Sequence, residues 1–438
     1  MKGNTGQTIF VILFSLLFVF ALFFRTSVAV IVEDLMLDFT IPAASLGLMS
    51  SAFFYGYAAM QLPVGFLSDR IGIRRTVLYF GLLGGLGSLL FAYASGVQTA
   101  TWGRLLTGVG TAGIWIPALK YFSLHYRPHI FASLTSIISA AGCLGPMLAT
   151  LPLAMLVEAK GWRYPFIMAA FLMVILVVTA WYLIGRTAGT GKDPSGEERG
   201  EQGEQPANSE KEQAPFWRHP VFWYFSLWAF FFYGAVFSFS TLWGAAYLQD
   251  TFMLSRETAG THLLATTIGL LCGSLFWGVV SDRIVLARRP LLLAGTCSYF
   301  ILWGILFGLE SYPGSMLTFL LYFSLGFCGM AFILILSAAK EYFPLRTAGT
   351  AMGAVNALML GGAAVFQGIT GYILDLFQAG TIIPPYRAVF IFYLLSIAVA
   401  LIFVILMPET FPGKRKKPPV SGKAIVYNGN PGPEGKSY

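Results

Sequence analysis

Long apolar runs, broken at intervals by short charged stretches, constrain this chain more than any other feature. The first runs from Ile9 to Phe24, sixteen residues without a charge, and after Arg25 seven more uncharged residues reach Val32. A helix that spans a bilayer needs about 20 predominantly apolar residues. The runs and their polar breaks allow about twelve such helices, with little chain left for a soluble domain. Composition agrees: 56% of the residues are hydrophobic and 11% charged, where a soluble domain carries about 25% charged. The chain reads as an all-α integral membrane protein. Lys2 before the first run and Ser27-Val28-Ala29 after it resemble a secretory leader. The apolar core of such a leader is about 7–15 residues, shorter than this run, so the run is expected to be the first membrane helix.

The net charge of +8 raises a nucleic-acid reading, and its distribution argues against one. Arg70, Arg74, Arg75, Arg127, Arg186, Lys192, Arg283, Arg288, Arg289, Arg346 and the run Lys414 to Lys417 fall in alternate loops or the tail. The intervening loops carry Glu33, Asp34, Asp38, Glu158, Asp250, Glu257, Glu310 and Asp375, with Lys160, Arg163, Arg256 and Arg387 as exceptions. Loops rich in Lys and Arg stay on the cytoplasmic side. Both termini and the central loop are therefore expected in the cytoplasm, in a plasma membrane or bacterial inner membrane. The cysteines, Cys143, Cys272, Cys297 and Cys328, all sit in apolar runs and read as small hydrophobes. No Cys/His cluster, phosphate-cradling glycine loop or Ser/His/Asp set is present, so neither an enzyme nor a cofactor is expected.

The chain also repeats itself. Gly65 to Arg75 reads GFLSDRIGIRR, and Gly278 to Arg289 reads GVVSDRIVLARR. Two more landmarks recur in the same order: Lys120-Tyr-Phe with Lys340-Glu-Tyr-Phe, and Trp162-Arg163 with Tyr386-Arg387. Self-similarity at a fixed offset is a signature of architecture. The expected units are residues 1–185, a cytoplasmic linker at 186–219, residues 220–412 and a tail at 413–438. The linker is too poor in apolar residues to fold alone.

Gly65, Asp69, Arg70, Gly72, Arg74 and Arg75 resemble the G-x-x-x-D-R-x-G-x-R-R loop of the major facilitator superfamily. In that family the loop joins helices 2 and 3, and a weaker copy joins helices 8 and 9. The second copy here keeps Gly278, Asp282, Arg283, Arg288 and Arg289. It has Val285 in place of Gly72, and its basic pair comes one residue later. Arg104, Gly108 and Gly110 resemble the R-x-x-x-G-x-G pattern of the fourth helix. Gly142-Cys-Leu-Gly145-Pro146 matches part of a helix 5 motif of drug antiporters. The resemblance implies twelve transmembrane helices in two pseudo-symmetric six-helix bundles. It also implies a midplane cavity with alternating access.

Ionisable groups inside a membrane are functional candidates because they are costly there. Arg25 lies roughly 10 Å inside the outer end of its helix. It either snorkels to the interface or faces a cavity. Its position resembles the first-helix arginine of the anion:cation symporter and organophosphate antiporter branches, which binds an anionic group of the substrate. The organophosphate branch has a second arginine on helix 7. Here the equivalent position falls near Ser238, and helix 7 has no Lys or Arg. One fixed cation suits a carboxylate, including that of an amino acid or peptide, through bidentate hydrogen bonds.

Tyr55, Trp115, Tyr233 and Asn356 stand at cavity depth and are candidate substrate contacts, with plain packing as the alternative. Asp69, Arg70, Arg74, Arg75, Arg104, Lys120, Asp282, Arg283 and Lys340 are candidate gating residues. His262 is expected to be solvated at the outer end of helix 8. The expected partners are a small-molecule substrate, a coupling proton or sodium ion, and the lipid bilayer around a monomer. A drug/proton antiporter and a non-transporting sensor of the same fold are the alternatives.

Overall fold

The structure, a computed structural model, describes residues 2–126, 128–188, 215–377 and 383–411. Most of the expected linker, the tail from 412 onward and Arg127 lie outside the described residues.

We number the long helical segments in chain order. The first half contains α1 (Lys2–Thr26), α2 (Ala43–Ile71), α3 (Ile73–Ala92), α4 (Val97–His125), α5 and α6 (Arg163–Ala188). Helix α5 is broken into Pro128–Gly142, Leu144–Leu148 and Leu151–Lys160. A short turn, Ser27–Val30, and a short helix, Val32–Phe39, join α1 to α2. In the second half α7 runs through Pro220–Ser238, a widened turn at Phe239–Trp243 and Gly244–Phe252. Helix α8 is Arg256–Val279 with a widened last turn at Val280–Ile284, and α9 is Arg289–Gly308. Helix α10 runs through Ser315–Gly329, Met330–Phe332 and Ile333–Tyr342; α11 is Leu345–Leu376 and α12 is Pro385–Leu406. There is no strand among the described residues.

Nine of these helices are long and apolar enough to cross a membrane, or up to eleven when each of two bent pairs counts as one span. Helix α4 is the long helix that falls short. It has 29 residues, but its buried face is Gly103, Thr107, Gly108, Gly110, Thr111 and Gly113, with Arg104 among them. That face meets α2 and α3 rather than lipid. A Cβ on Gly108 would lie 2.1 Å from the Phe53 carbonyl oxygen, and one on Gly110 would lie 2.1 Å from the Gly84 nitrogen. Small residues let helix backbones approach in lipid, so a central helix is recognised by glycine spacing better than by hydropathy.

The two motif copies turn differently. Gly72 adopts φ 81 between α2 and α3, a region that side chains other than glycine rarely enter. Val285 cannot take that role easily and stays helical at φ −85. The left-handed residue in this loop is Leu286, at φ 51. The turn is thus one residue longer, which is why the second basic pair comes later.

The three described exceptions to the charge bias with printed partners are each paired with an acid. Arg163 bonds Asp38, Arg256 lies 2.9 Å from Asp34, and Arg387 lies 3.5 Å from Glu310. Their positive charge is compensated locally, so they do not reverse the acidic character of that face.

The halves meet mainly through α2 against α11 and α5 against α8. The approach of α2 and α11 is close near the acidic face. A Cβ on Gly47 would lie 2.3 Å from the Gln367 carbonyl oxygen, and one on Gly371 would lie 2.4 Å from that of Ala43. Farther along these helices, Gly65, Gly349 and Gly361 have open space where a Cβ would be.

Candidate functional site

Arg25 is the next-to-last residue of α1 and is half-buried at the seam between the halves. Its guanidinium carbon lies 4.6 Å from the Phe237 ring centroid, 5.5 Å from Phe54 and 5.6 Å from Tyr233. Phe54 comes from α2, and the other two rings come from α7. The side chain therefore faces the seam instead of reaching for the interface. Its Nε and Nη2 are buried without a hydrogen-bond partner. Cation–π contacts offset about 0.5–2 kcal/mol of burial, but they do not satisfy N–H donors. These two nitrogens form one edge of the guanidinium fork, the edge that takes a carboxylate bidentately.

The sequence-predicted residues divide around this point. Tyr233 is buried, stacks on Phe237 at 4.0 Å and forms part of the Arg25 enclosure. Trp115 is half-buried and lies 4.7 Å from Phe18, seven residues before Arg25 on α1. Asn356 is half-buried in the first half of α11. Tyr55 is 44% exposed and shares a stripe with exposed Leu48 and Phe66, away from Arg25. The tyrosine of α2 that stands within electrostatic reach of Arg25 is Tyr57. The helical phase of Phe54, Tyr57, Ala58 and Gln61 marks the seam-facing side, and Tyr55 falls outside it.

Arg104 is 1% exposed and donates from Nη1 to the Phe24 carbonyl at 2.7 Å. Its guanidinium lies 4.8 Å from the Phe53 ring. It ties α4 to the α1 backbone one residue before Arg25. Ser238, near the position expected to match a second cation, is buried and accepts from the Tyr393 hydroxyl at 3.0 Å. Its neighbours Trp243 and Gln367 donate to Thr370 at 2.7 Å and to Thr241 at 2.9 Å. A network of hydroxyls thus occupies the position that a cation would hold. His262 departs from expectation. It is fully buried, with Nε2 at 3.4 Å from the Tyr312 hydroxyl, because its helix face meets Tyr322 rather than solvent.

At the motif-loop face, the described contacts of the motif residues stay within their own halves. Asp69 pairs with Lys120 at 2.6 Å, and Lys120 also donates to the Ser68 carbonyl at 2.8 Å. Arg74 donates to the Trp181 carbonyl at 3.0 Å, and Arg70 lies over Phe66. In the second half Arg288 bonds Asp282 at 2.5 Å, Ser281 at 2.6 Å and Glu341 at 2.6 Å. Burial pulls the Arg288 guanidinium down, but Glu341 and Asp282 hold it above its ordinary value. Arg75, Arg283 and Lys340 are exposed.

The acidic face is bonded across the seam. Asp375, near the end of α11, accepts from the backbone N–H of Ala43 at 2.9 Å and of Ala44 at 2.7 Å. Those are the first free donors of α2, which starts after Pro42 with no side-chain cap of its own. Asp34 pairs with Arg256 across the same seam, and Gln249 donates to Glu33 at 3.3 Å. A cleft of about 760 Å³ beside them is lined by Glu33, Asp34, Glu158, Asp250 and Arg256, among others. Sequence alone places Asp375 in an outer loop. The missing signal was an uncapped helix start, Pro42-Ala43-Ala44, in need of an acid from elsewhere.

Residues 13–247 and 230–431 match the family model of the Major Facilitator Superfamily. The chain belongs to this superfamily. It is 25% identical over 350 residues to a gentisate transporter of Corynebacterium glutamicum, covering 77% of this chain and 74% of that one. It is 24% identical over 373 residues to a hexuronate transporter of Bacillus subtilis, covering 82% and 85%. Among solved structures, a bacterial homolog to the human lysosomal transporter Spinster, inward-facing and occupied, aligns with a TM-score of 0.70. That alignment covers 91% of this chain and 96% of the other at 16% identity, so it speaks to the fold. The protein is thus a multi-pass membrane transporter of the superfamily and not an enzyme, with an all-α fold of two related six-helix halves.

Proposed function

We propose that this transporter moves a small organic carboxylate, amino-acid and peptide carboxylates included, by alternating access, with Arg25 as the anion-binding group. The observation that carries this reading is the unpartnered Nε–Nη2 edge of Arg25 at the seam. A buried, unpaired charge is costly, and a substrate carboxylate would offset that cost through two charge-assisted hydrogen bonds. The transporters of gentisate and hexuronate that this chain resembles are named for carboxylates, which supports the class.

The cross-seam bonds of Asp375, Asp34 and Glu33 support a conformation closed at the acidic face and accessible from the motif-loop face. With the basic loops in the cytoplasm, this is the inward-facing state. Asp69, Arg70, Arg74, Arg75, Lys120, Asp282, Arg283 and Lys340 would then belong to the cytoplasmic gate, and Arg104 would brace α1 beside the site. Tyr233 and Tyr57 are the nearest candidates for contacts beyond the carboxylate. The units 1–185 and 220–412 would rock against each other as bodies.

The test is counterflow in proteoliposomes with a pool of labelled carboxylates. Wild-type protein is expected to exchange at least one of them, and Arg25→Ala to exchange none. Exchange of a cationic drug by the wild type, with no carboxylate exchanged, would overturn the reading.

A further inference from the structure

Resting on the reading of Arg25 as the anion site, we infer that the substrate carries its carboxylate on an aromatic or similarly flat apolar body, not on a polyhydroxylated one. The surroundings of the cation carry the argument. Phe54, Tyr233 and Phe237 enclose the guanidinium from both halves. Phe332 stands edge-on behind them, 4.8 Å from Tyr233 and 5.7 Å from Phe237. Rings in such surroundings meet other rings in offset or edge-to-face geometry.

The hydroxyl groups of α7 that follow Phe237 are already engaged. Ser238, one residue beyond Phe237, shares its oxygen with Tyr393 and Thr370. Thr241 donates to the Phe237 carbonyl at 2.5 Å and accepts from Gln367. A sugar acid brings several hydroxyls that each need a partner, and a hydroxyl buried without one is penalised. An aromatic acid needs only the arginine fork for its carboxylate, and its ring finds ring neighbours. The charge of the two classes is the same, so the site separates them by the body attached to the carboxylate.

The test compares benzoate with gluconate, two monocarboxylates of equal charge, for affinity to the purified full-length protein. Wild type, Arg25→Ala, Phe237→Leu and Phe54→Leu are measured after matching thermal stability. Two ring variants are used so that the loss of one to misfolding leaves the other. Wild type is expected to bind benzoate at least about tenfold more tightly than gluconate, a difference of about 1.4 kcal/mol. Arg25→Ala is expected to abolish binding of benzoate, and each ring variant to narrow the ratio. Equal affinity for both acids, lost in Arg25→Ala, would overturn the aromatic inference and leave the anion site standing. Benzoate binding untouched by Arg25→Ala, or absent from wild type, would overturn the inference; the first outcome would also remove Arg25 from the site.

Discussion

At the acidic face, Asp375 of α11 accepts two backbone hydrogen bonds from α2, in the other half. At the motif-loop face, Asp69 of α2 pairs with Lys120 of its own half. The two acids sit in similar places on antiparallel helices. Helices α2 and α11 both begin directly after a proline, Pro42 and Pro344, with no side-chain cap. Both carry an acid in their last turn. Each helix start thus lacks a local cap for donors that a carboxylate can serve. In this conformation Asp375 serves α2 across the seam, while Asp69 bonds elsewhere. On the proposed alternating-access reading, closing the acidic face and capping the other half's helix would be one event. A gate of this kind costs no charge burial in the bilayer centre.

The largest expected effect separates stability from gating. Arg288→Ala leaves Asp282 and Glu341 without their cation, and breaking a largely buried pair costs about 3–5 kcal/mol. Its partners all lie in the second half, so the unfolding temperature should fall steeply, and by more than the balance between faces shifts. A change in that balance with unchanged thermal stability would break the comparison.

Asp375→Ala should act the other way, on the balance more than on stability. Each hydrogen bond to its charged carboxylate is worth about 1.5–3 kcal/mol. The variant loses both bonds, with water replacing them in part, so the population open at the acidic face should rise at least about tenfold. The readout is a single cysteine in place of Ser27, which is fully buried, in protein whose native cysteines have been replaced. It should react faster with an impermeant thiol reagent applied at the acidic face. Equal reaction rates in both backgrounds would show that Asp375 does not hold the face shut.

Smaller shifts should follow from the ion pairs. Asp34 and Arg256 retain 23% and 19% exposure, and such a pair is worth about 1 kcal/mol or less. Arg256→Ala should therefore shift the same labelling by a few-fold at most, and added salt should erase the difference. A salt-independent effect as large as that of Asp375→Ala would reverse the ranking. Asp69, at 71% exposure, should cost least in stability when changed to Asn. Its effect should show as slower transport, since its proposed gating role would belong to the opposite conformation. Full transport with Asp69→Asn would separate the motif acid from the gate.

Much of this architecture was legible in the chain. The apolar runs and the repeated Ser-Asp-Arg-Ile core carried the fold, because bilayer length and duplication leave few other arrangements. Arg25 was legible as a costly charge in an apolar run. Its ring enclosure was not, since it joins α1, α2 and α7 residues that only tertiary packing brings together. Tyr55 stands at cavity depth by residue number, but facing depends on helical phase, which turns Tyr57 rather than Tyr55 to the seam. His262 reads as solvated from its place near a helix end, whereas its side faces Tyr322 and is buried. Asp375 resembled a loop acid because capping across a seam leaves no local pattern.

Arg25 is proposed to act as a planar fork for a carboxylate, and Arg25→Lys tests that most directly. Lysine keeps the charge but presents no bidentate edge. The measurement is affinity for the carboxylate that wild type exchanges in counterflow, in wild type, Arg25→Lys and Arg25→Ala at matched thermal stability. The prediction is a loss of about tenfold to a hundredfold in the lysine variant, close to that of alanine. Wild-type affinity in Arg25→Lys would contradict it, leaving at most a role for the bare charge.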